Sequence, residues 1–154
     1  MYLYLVQHGE AKREDEDPAR GLSKKGSDDA LRVAAFVQRM NIPVTRILHS
    51  NKTRAQQTAQ ILSGLLKPKK GVSETDGLAP MDDPDAWARR IDGMDEDLML
   101  VGHLPYMAKL AGLILCGDKE KTCLDFKMGG MVCCRRIADG RWVVAWMLVP
   151  EMIE

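Results

Sequence analysis

Short apolar runs with strand character alternate along this chain with segments of helical spacing, and that alternation constrains the fold more than any other feature. Tyr2 to Gln7 is a strand pattern of aromatic, aliphatic and β-branched residues. A polar loop follows from Gly9 to Leu22. Ser23 is then placed to cap a helix reaching about Arg39, with Leu31, Ala34, Ala35 and Val37 among its apolar positions. Asn41-Ile42-Pro43 ends that helix. Arg46 to His49 is a second strand pattern, after which Ser50 or Asn51 caps a helix to about Leu66; Ala55, Ala59, Leu62 and Leu66 recur along it at helical spacing. Pro68 to Gly71 is a turn, Val72 to Leu78 holds a short strand, and Pro84 to Ile91 a third helix. Asp97 to Val101 is a buried strand. Pro105 suits the first turn of the helix after it, which carries Met107, Leu110, Ala111, Ile114 and Leu115. Met131 to Ala138 and Arg141 to Val149 form a hairpin joined through Asp139-Gly140.

This order predicts an α/β fold: a three-layer sandwich with a mostly parallel central sheet and a C-terminal antiparallel hairpin. With 154 residues and no internal repeat, residues 1–154 read as a single domain long enough to bury a core.

Charge narrows the partners. Lys plus Arg and Asp plus Glu are 22 each, so the formal net charge is zero and neither nucleic acid nor a membrane surface is favoured. Met1 to Val6 is too short for a targeting segment, lacks a basic lead, and gives way to the charged stretch Glu10 to Asp17. No run approaches the length of a membrane span. The expectation is a cytoplasmic protein. Its cysteines, Cys116, Cys123, Cys133 and Cys134, include no C-x2-C pair and no nearby histidine, so they read as reduced thiols and not as zinc ligands. Cys133 and Cys134 are neighbours in a strand pattern and should face opposite sides of the sheet. Trp87, Trp142 and Trp146 are spaced as core aromatics.

The chemistry concentrates at strand ends. His8 follows the first strand and precedes Gly9; His103 follows Gly102 at the end of a later strand. Taken singly, a histidine at a strand end is ordinary packing. Together with the stretch Ser50-Asn51-Lys52-Thr53-Arg54-Ala55-Gln56-Gln57-Thr58, where a strand ends and a helix begins with an arginine in its first turn, they form a pattern. All three junctions fall at the carboxyl edge of the sheet, where open α/β folds bind ligands. A helix N-terminus and a guanidinium at that edge make a site for phosphate.

These junctions resemble the histidine phosphatase superfamily. In it the first strand ends in Arg-His-Gly, a second element reads Ser-Pro-x-x-Arg-Ala-x-Gln-Thr, and a later strand ends in Gly-His. This chain has Gln7-His8-Gly9, Ser50 to Thr58, and Gly102-His103, together with Gly21-Leu22-Ser23-Lys24-Lys25-Gly26, which looks like the family's helix start. The short length and Leu98 to Pro105 are similar to the SixA-type phosphohistidine phosphatases. The resemblance implies catalytic roles for His8, Arg54 and His103. His8 would attack phosphorus and form a phosphohistidine intermediate, Arg54 would hold the non-bridging oxygens, and His103 would stabilise the transition state. Gln7, His8, Arg54 and His103 would bind the phosphate. No metal or cofactor is implied.

Gln7 departs from the family's arginine and loses its charge and its two-pronged geometry. A charge-assisted hydrogen bond is worth about 1.5–3 kcal/mol against about 1 for a neutral one, so a rate lower by about tenfold is expected. Lys12, Arg13 or Arg20 could offset the loss; each reads otherwise as a solvated loop charge. Glu74, Asp76, Asp82 and Asp83 are the candidate general acids for an alkoxide leaving group, and all four also read as turn or cap residues. His49 reads as a packed strand-end histidine. Imidazole leaves more readily than an alkoxide, its conjugate acid having a pKa of about 6.5. The leading expectation is therefore a phosphatase acting on a phosphohistidine-bearing protein, such as a phosphotransfer domain of a two-component relay or a metabolic enzyme. Two alternatives stand beside it: a small-molecule phosphomonoesterase of the same fold, and a non-catalytic phosphate or phosphohistidine binder in which Gln7 marks lost catalysis.

Overall fold

A computed structural model describes residues 1–153. The strands are β1 (Tyr2–Gln7), β2 (Arg46–His49), β3 (Val72–Glu74), β4 (Leu98–Gly102), β5 (Met131–Arg136) and β6 (Trp142–Leu148). The helices are α1 (Lys24–Arg39), α2 (Thr53–Leu66), α3 (Asp85–Asp92) and α4 (Tyr106–Cys116), and a single 3-10 turn covers Pro150–Met152. One sheet takes the order β3-β2-β4-β1-β5-β6. The first four strands are mutually parallel; β5 runs antiparallel to β1, and β6 antiparallel to β5. The C-terminal hairpin therefore extends a parallel sheet as predicted, with a register shift between Cys133 and Cys134. Among the described residues no helix is long and apolar enough to cross a membrane.

Period-two alternation divides the core into two layers. Leu3, Leu5, Leu98, Leu100, Val132 and Cys134 face α3 and α4, packing on Trp87, Ile91, Tyr106, Met107 and Leu110. Tyr4, Val6, Ile47, Met99, Val101, Met131 and Cys133 face α1 and α2, packing on Val33, Ala34, Val37, Ala55, Ala59 and Leu62. Cys133 and Cys134 thus do point to opposite layers.

The chain order in this sheet creates the crevice. The connections leaving β1 and β2 lead to α1 and α2 on one face, whereas those leaving β3 and β4 lead to α3 and α4 on the other. The strands β1 and β4 are neighbours, so the loops after them part to opposite sides of the sheet, and a cleft opens at their carboxyl ends.

Two local expectations are corrected. Leu31 is 50% exposed; the buried stripe of α1 is Gly26, Asp29, Ala30, Val33, Ala34 and Val37. Asp29 can lie in that stripe because Lys25 and Arg32 pair with its carboxylate. Neither Ser50 nor Asn51 caps α2: the N-cap is Lys52, with no side-chain capping bond. The short strand expected within 72–78 covers Val72–Glu74, and Leu78 is buried beyond it. Ser23 does cap α1, accepting from the Gly26 amide at 3.0 Å.

Candidate active site

The register sets the site. Gln7 pairs with Gly102 across β1 and β4, and His49 with Val101 across β2 and β4. The next residues along, Ser50, His103 and His8, therefore lie side by side at one edge. The His8 amide donates to the Gly102 carbonyl at 3.0 Å, and the Ser50 amide to the Val101 carbonyl at 3.2 Å. The His8 and His103 rings lie 4.9 Å apart between centroids, inclined at 58°.

His8 is held by both ring nitrogens. Nδ1 lies 2.7 Å from the Gly9 carbonyl, so it carries the proton and donates it. Nε2 keeps its lone pair, into which Arg54 Nε–H donates at 3.3 Å. Burial is the main influence holding the His8 pKa down to about 4; Arg54 and then Arg20 push the same way, against the Gly9 carbonyl. The ring is neutral at pH 7. The expected carbonyl partner is thus present, and it belongs to Gly9 itself.

His103 is 1% exposed. Its pKa falls to about 3, first through burial, then through the neighbouring His8, Arg54 and Lys52. Its Nε2 lies 2.5 Å from the Ser50 hydroxyl, while Nδ1 is buried without a partner. Arg54 stands in the first turn of α2. Among the described residues it pairs with no carboxylate, so its charge is available to an anion. Burial and Arg20 lower its pKa without threatening that charge.

Two further contacts tie the loop after β1 to α2. Thr58 Oγ1 accepts from the Gly9 amide at 3.0 Å and donates to the Arg54 carbonyl at 2.8 Å. Gln57 Oε1 accepts from the Leu22 amide at 2.7 Å. These are the Gln and Thr that close the Ser50–Thr58 motif, and their place in it was the only sequence signal for the role. Gly9 and Gly26 complete the clamp. A Cβ on Gly26 would lie 2.0 Å from the Glu10 carbonyl oxygen, and one on Gly9 would lie 2.8 Å from the Gly26 carbonyl oxygen. Only glycine lets α1 start this close to the loop after β1.

Gln7 lies beneath this layer, 8% exposed, with Oε1 buried and unpartnered. Of the loop cations, Arg13 pairs with Asp15 and Glu16. Arg20, left-handed at φ 50°, donates to the Lys12 carbonyl and is the one that bears electrostatically on both His8 and Arg54. His49 is buried, its Nδ1 2.8 Å from the Ser50 carbonyl, as a packed strand-end residue would be.

Asp76, Asp82 and Asp83 line a cavity of about 490 Å³ that reaches Asn51. Asp82 accepts from the Ala79 amide, and Asp83 accepts from the Asp85 amide and pairs with Lys119. Those bonds hold the Asp83 pKa below the usual carboxylate range, the opposite of what a general acid needs. Glu74 ends the short edge strand β3 and is exposed. Among the described residues no carboxylate bonds to His8, Arg54 or His103, and no group of three or more His, Cys, Asp or Glu side chains is arranged to hold a metal ion.

The chain is similar in sequence and fold to known proteins. The model of the histidine phosphatase superfamily (branch 1) matches residues 3–92. An uncharacterized protein of Picosynechococcus sp. is 36% identical over 140 residues, covering 86% of this chain and 83% of the relative. The protein histidine phosphatase SixA, solved with tungstate, superposes with a TM-score of 0.86 over 99% of each chain at 20% identity. The phosphoserine phosphatase of Entamoeba histolytica, solved with 3-phosphoglyceric acid, gives 0.69 over 95% of each chain at 17% identity. His103 lies beyond the matched family segment, and it is the fold that brings it to His8. The chain belongs to the histidine phosphatase superfamily and is a phosphatase.

Proposed function

We propose that the chain dephosphorylates phosphohistidine on a partner protein, through a phosphohistidine formed on its own His8. The observation that carries this reading is the state of His8: a neutral ring whose Nδ1–H is fixed on the Gly9 carbonyl and whose Nε2 lone pair is turned toward Arg54. A nucleophilic histidine needs this tautomer.

In the first step Nε2 attacks phosphorus. The P–N bond of the substrate breaks, and its imidazole leaves with the electron pair and takes a proton from solvent. Arg54 moves from Nε2 onto the non-bridging oxygens, and His103 faces them from the other side. Because Nδ1 keeps its proton, phospho-His8 is a cationic ring and a good leaving group. Water then attacks phosphorus, the Nε2–P bond breaks, and inorganic phosphate departs. Neutral His8 is restored.

The substrate class follows from the leaving group. Asp82 and Asp83 are engaged by backbone amides and Lys119, and no carboxylate among the described residues bonds to His8, Arg54 or His103, so no acid is held ready to protonate an alkoxide, whereas a departing imidazole needs little help. That the similarly folded SixA was solved with tungstate, a tetrahedral oxyanion, supports an oxyanion-binding role. The partner would be a phosphotransfer domain of a two-component relay or a phosphohistidine-bearing metabolic enzyme, with the work done in the cytoplasm. A second reading, a small-molecule phosphomonoesterase, draws on the cavity beside Asn51 and on the likeness to a phosphoserine phosphatase.

Turnover on a phosphohistidine protein, serine phosphate and a sugar phosphate separates the two. The first reading expects the phosphohistidine protein to be preferred by about a hundredfold or more in kcat/KM. Equal or better turnover of serine phosphate would transfer the assignment to the second. p-Nitrophenyl phosphate does not discriminate, since its leaving group is also good.

A further inference from the structure

Ser50 ends β2 at a place fixed by the sheet and is 1% exposed. Its hydroxyl lies 2.5 Å from His103 Nε2 and is the only hydrogen-bond partner of that ring among the described residues. The Lys52 amide approaches the same oxygen at 3.4 Å. A hydroxyl has one proton to give and two lone pairs. With one lone pair turned toward Lys52, the proton is free to point at Nε2.

The consequence falls on the far side of the ring. A neutral imidazole carries a single N–H. If that proton were on Nε2, it would go to Ser50, and Nδ1 would turn a bare lone pair toward an anion. If Ser50 donates to Nε2, the proton must be on Nδ1. Nδ1 is the ring nitrogen that no protein group occupies, in a ring that stands beside the nucleophile.

We propose that Ser50 is a positioning residue of this phosphatase: its hydroxyl donates to His103 Nε2 and locks the neutral ring as the Nδ1–H tautomer, which offers that N–H to a phosphoryl oxygen. The inference rests on the phosphatase reading above and deepens it. It explains how a histidine too buried to be cationic can still act as a donor. Ser50 touches no substrate and acts through His103 alone.

The test reads the tautomer directly, by 15N NMR of the histidine rings in the full chain, with and without inorganic phosphate. In the wild type His103 should be protonated at Nδ1, and phosphate should shift that N–H. In Ser50→Ala the ring should lose its single tautomer and kcat should fall about ten- to hundredfold with KM little changed. Ser50→Thr, which keeps the hydroxyl, should restore both. Protonation of His103 at Nε2 in the wild type overturns the proposal, even if the alanine variant does not fold. So does a Ser50→Ala protein that keeps the wild-type tautomer or the wild-type kcat. The tautomer and the phosphate shift are measured without turnover, so failure of the phosphohistidine assignment in a substrate assay is seen separately.

Discussion

Acidification should weaken this fold through its two site histidines, and the size of the effect follows from their surroundings. Burial is the leading cause that holds His8 down to about 4 and His103 to about 3. In the unfolded chain each takes its proton near about 6.5. Between these values the unfolded state binds more protons than the folded one, so stability is full above about pH 6.5 and is lost as pH falls through the window below it. At pH 5, about 1.5 units below the unfolded value, the loss is about 2 kcal/mol for each ring, and at most about 4 for both, at 1.36 kcal/mol per unit. The carboxylates with lowered pKa values, Asp17, Asp29 and Asp83, titrate below this window and add nothing between pH 7 and pH 5. Urea unfolding at the two pH values measures the loss, and the His8→Asn, His103→Asn double variant is the control. The wild type should lose stability toward pH 5 and the double variant should lose much less. Equal losses in the two proteins would refute the assignment of buried, neutral rings.

Other expectations follow from the same contacts. Gln7→Arg adds a guanidinium where a buried amide oxygen now lacks a partner; kcat/KM should rise about tenfold, and steady-state kinetics showing no gain would mean Gln7 is not limiting. Gly26→Ala drives a Cβ to 2.0 Å from the Glu10 carbonyl oxygen, which is backbone and cannot rotate away. The strain should cost about 1–3 kcal/mol, seen by calorimetry as a melting point lower by about 2–4 °C for each kcal/mol, and kcat should fall because the nucleophile loop must shift. Thr58→Val removes the partner of the buried Gly9 amide; a loss of about 1–3 kcal/mol, largely recovered by Thr58→Ser, is the expected outcome of urea titration.

Much of this molecule was legible because its periodicities are strong. The strands β1 and β4 are apolar on both faces, as strands covered by helices on both sides must be, and their ends carry the His-Gly and Gly-His junctions. What sequence could not show is who stands beside whom. The bond between Ser50 and His103 exists only because β2 lies against β4, a pairing of strands that are not consecutive. Read locally, Ser50 looked like a helix cap, and tertiary pairing has claimed its hydroxyl instead. Leu31 looked like a core residue of α1 and is half exposed, whereas Asp29 is buried in that helix through ion pairs with Lys25 and Arg32. Among Lys12, Arg13 and Arg20, nothing local singled out Arg20, because its bearing on His8 and Arg54 depends on the path of the loop, pinned by Gln57 and by the Ala11–Leu22 bridge.

The central claim is that phosphate passes through His8, and trapping the intermediate tests it most directly. The protein is mixed with a phosphohistidine-bearing phosphotransfer domain and quenched rapidly in alkali, since phosphohistidine is labile in acid. Mass spectrometry then locates the phosphate. The account expects it on His8, appearing as the donor loses its own and decaying with release of inorganic phosphate. A donor that is dephosphorylated with no label on His8, and equally well by His8→Ala, would contradict it.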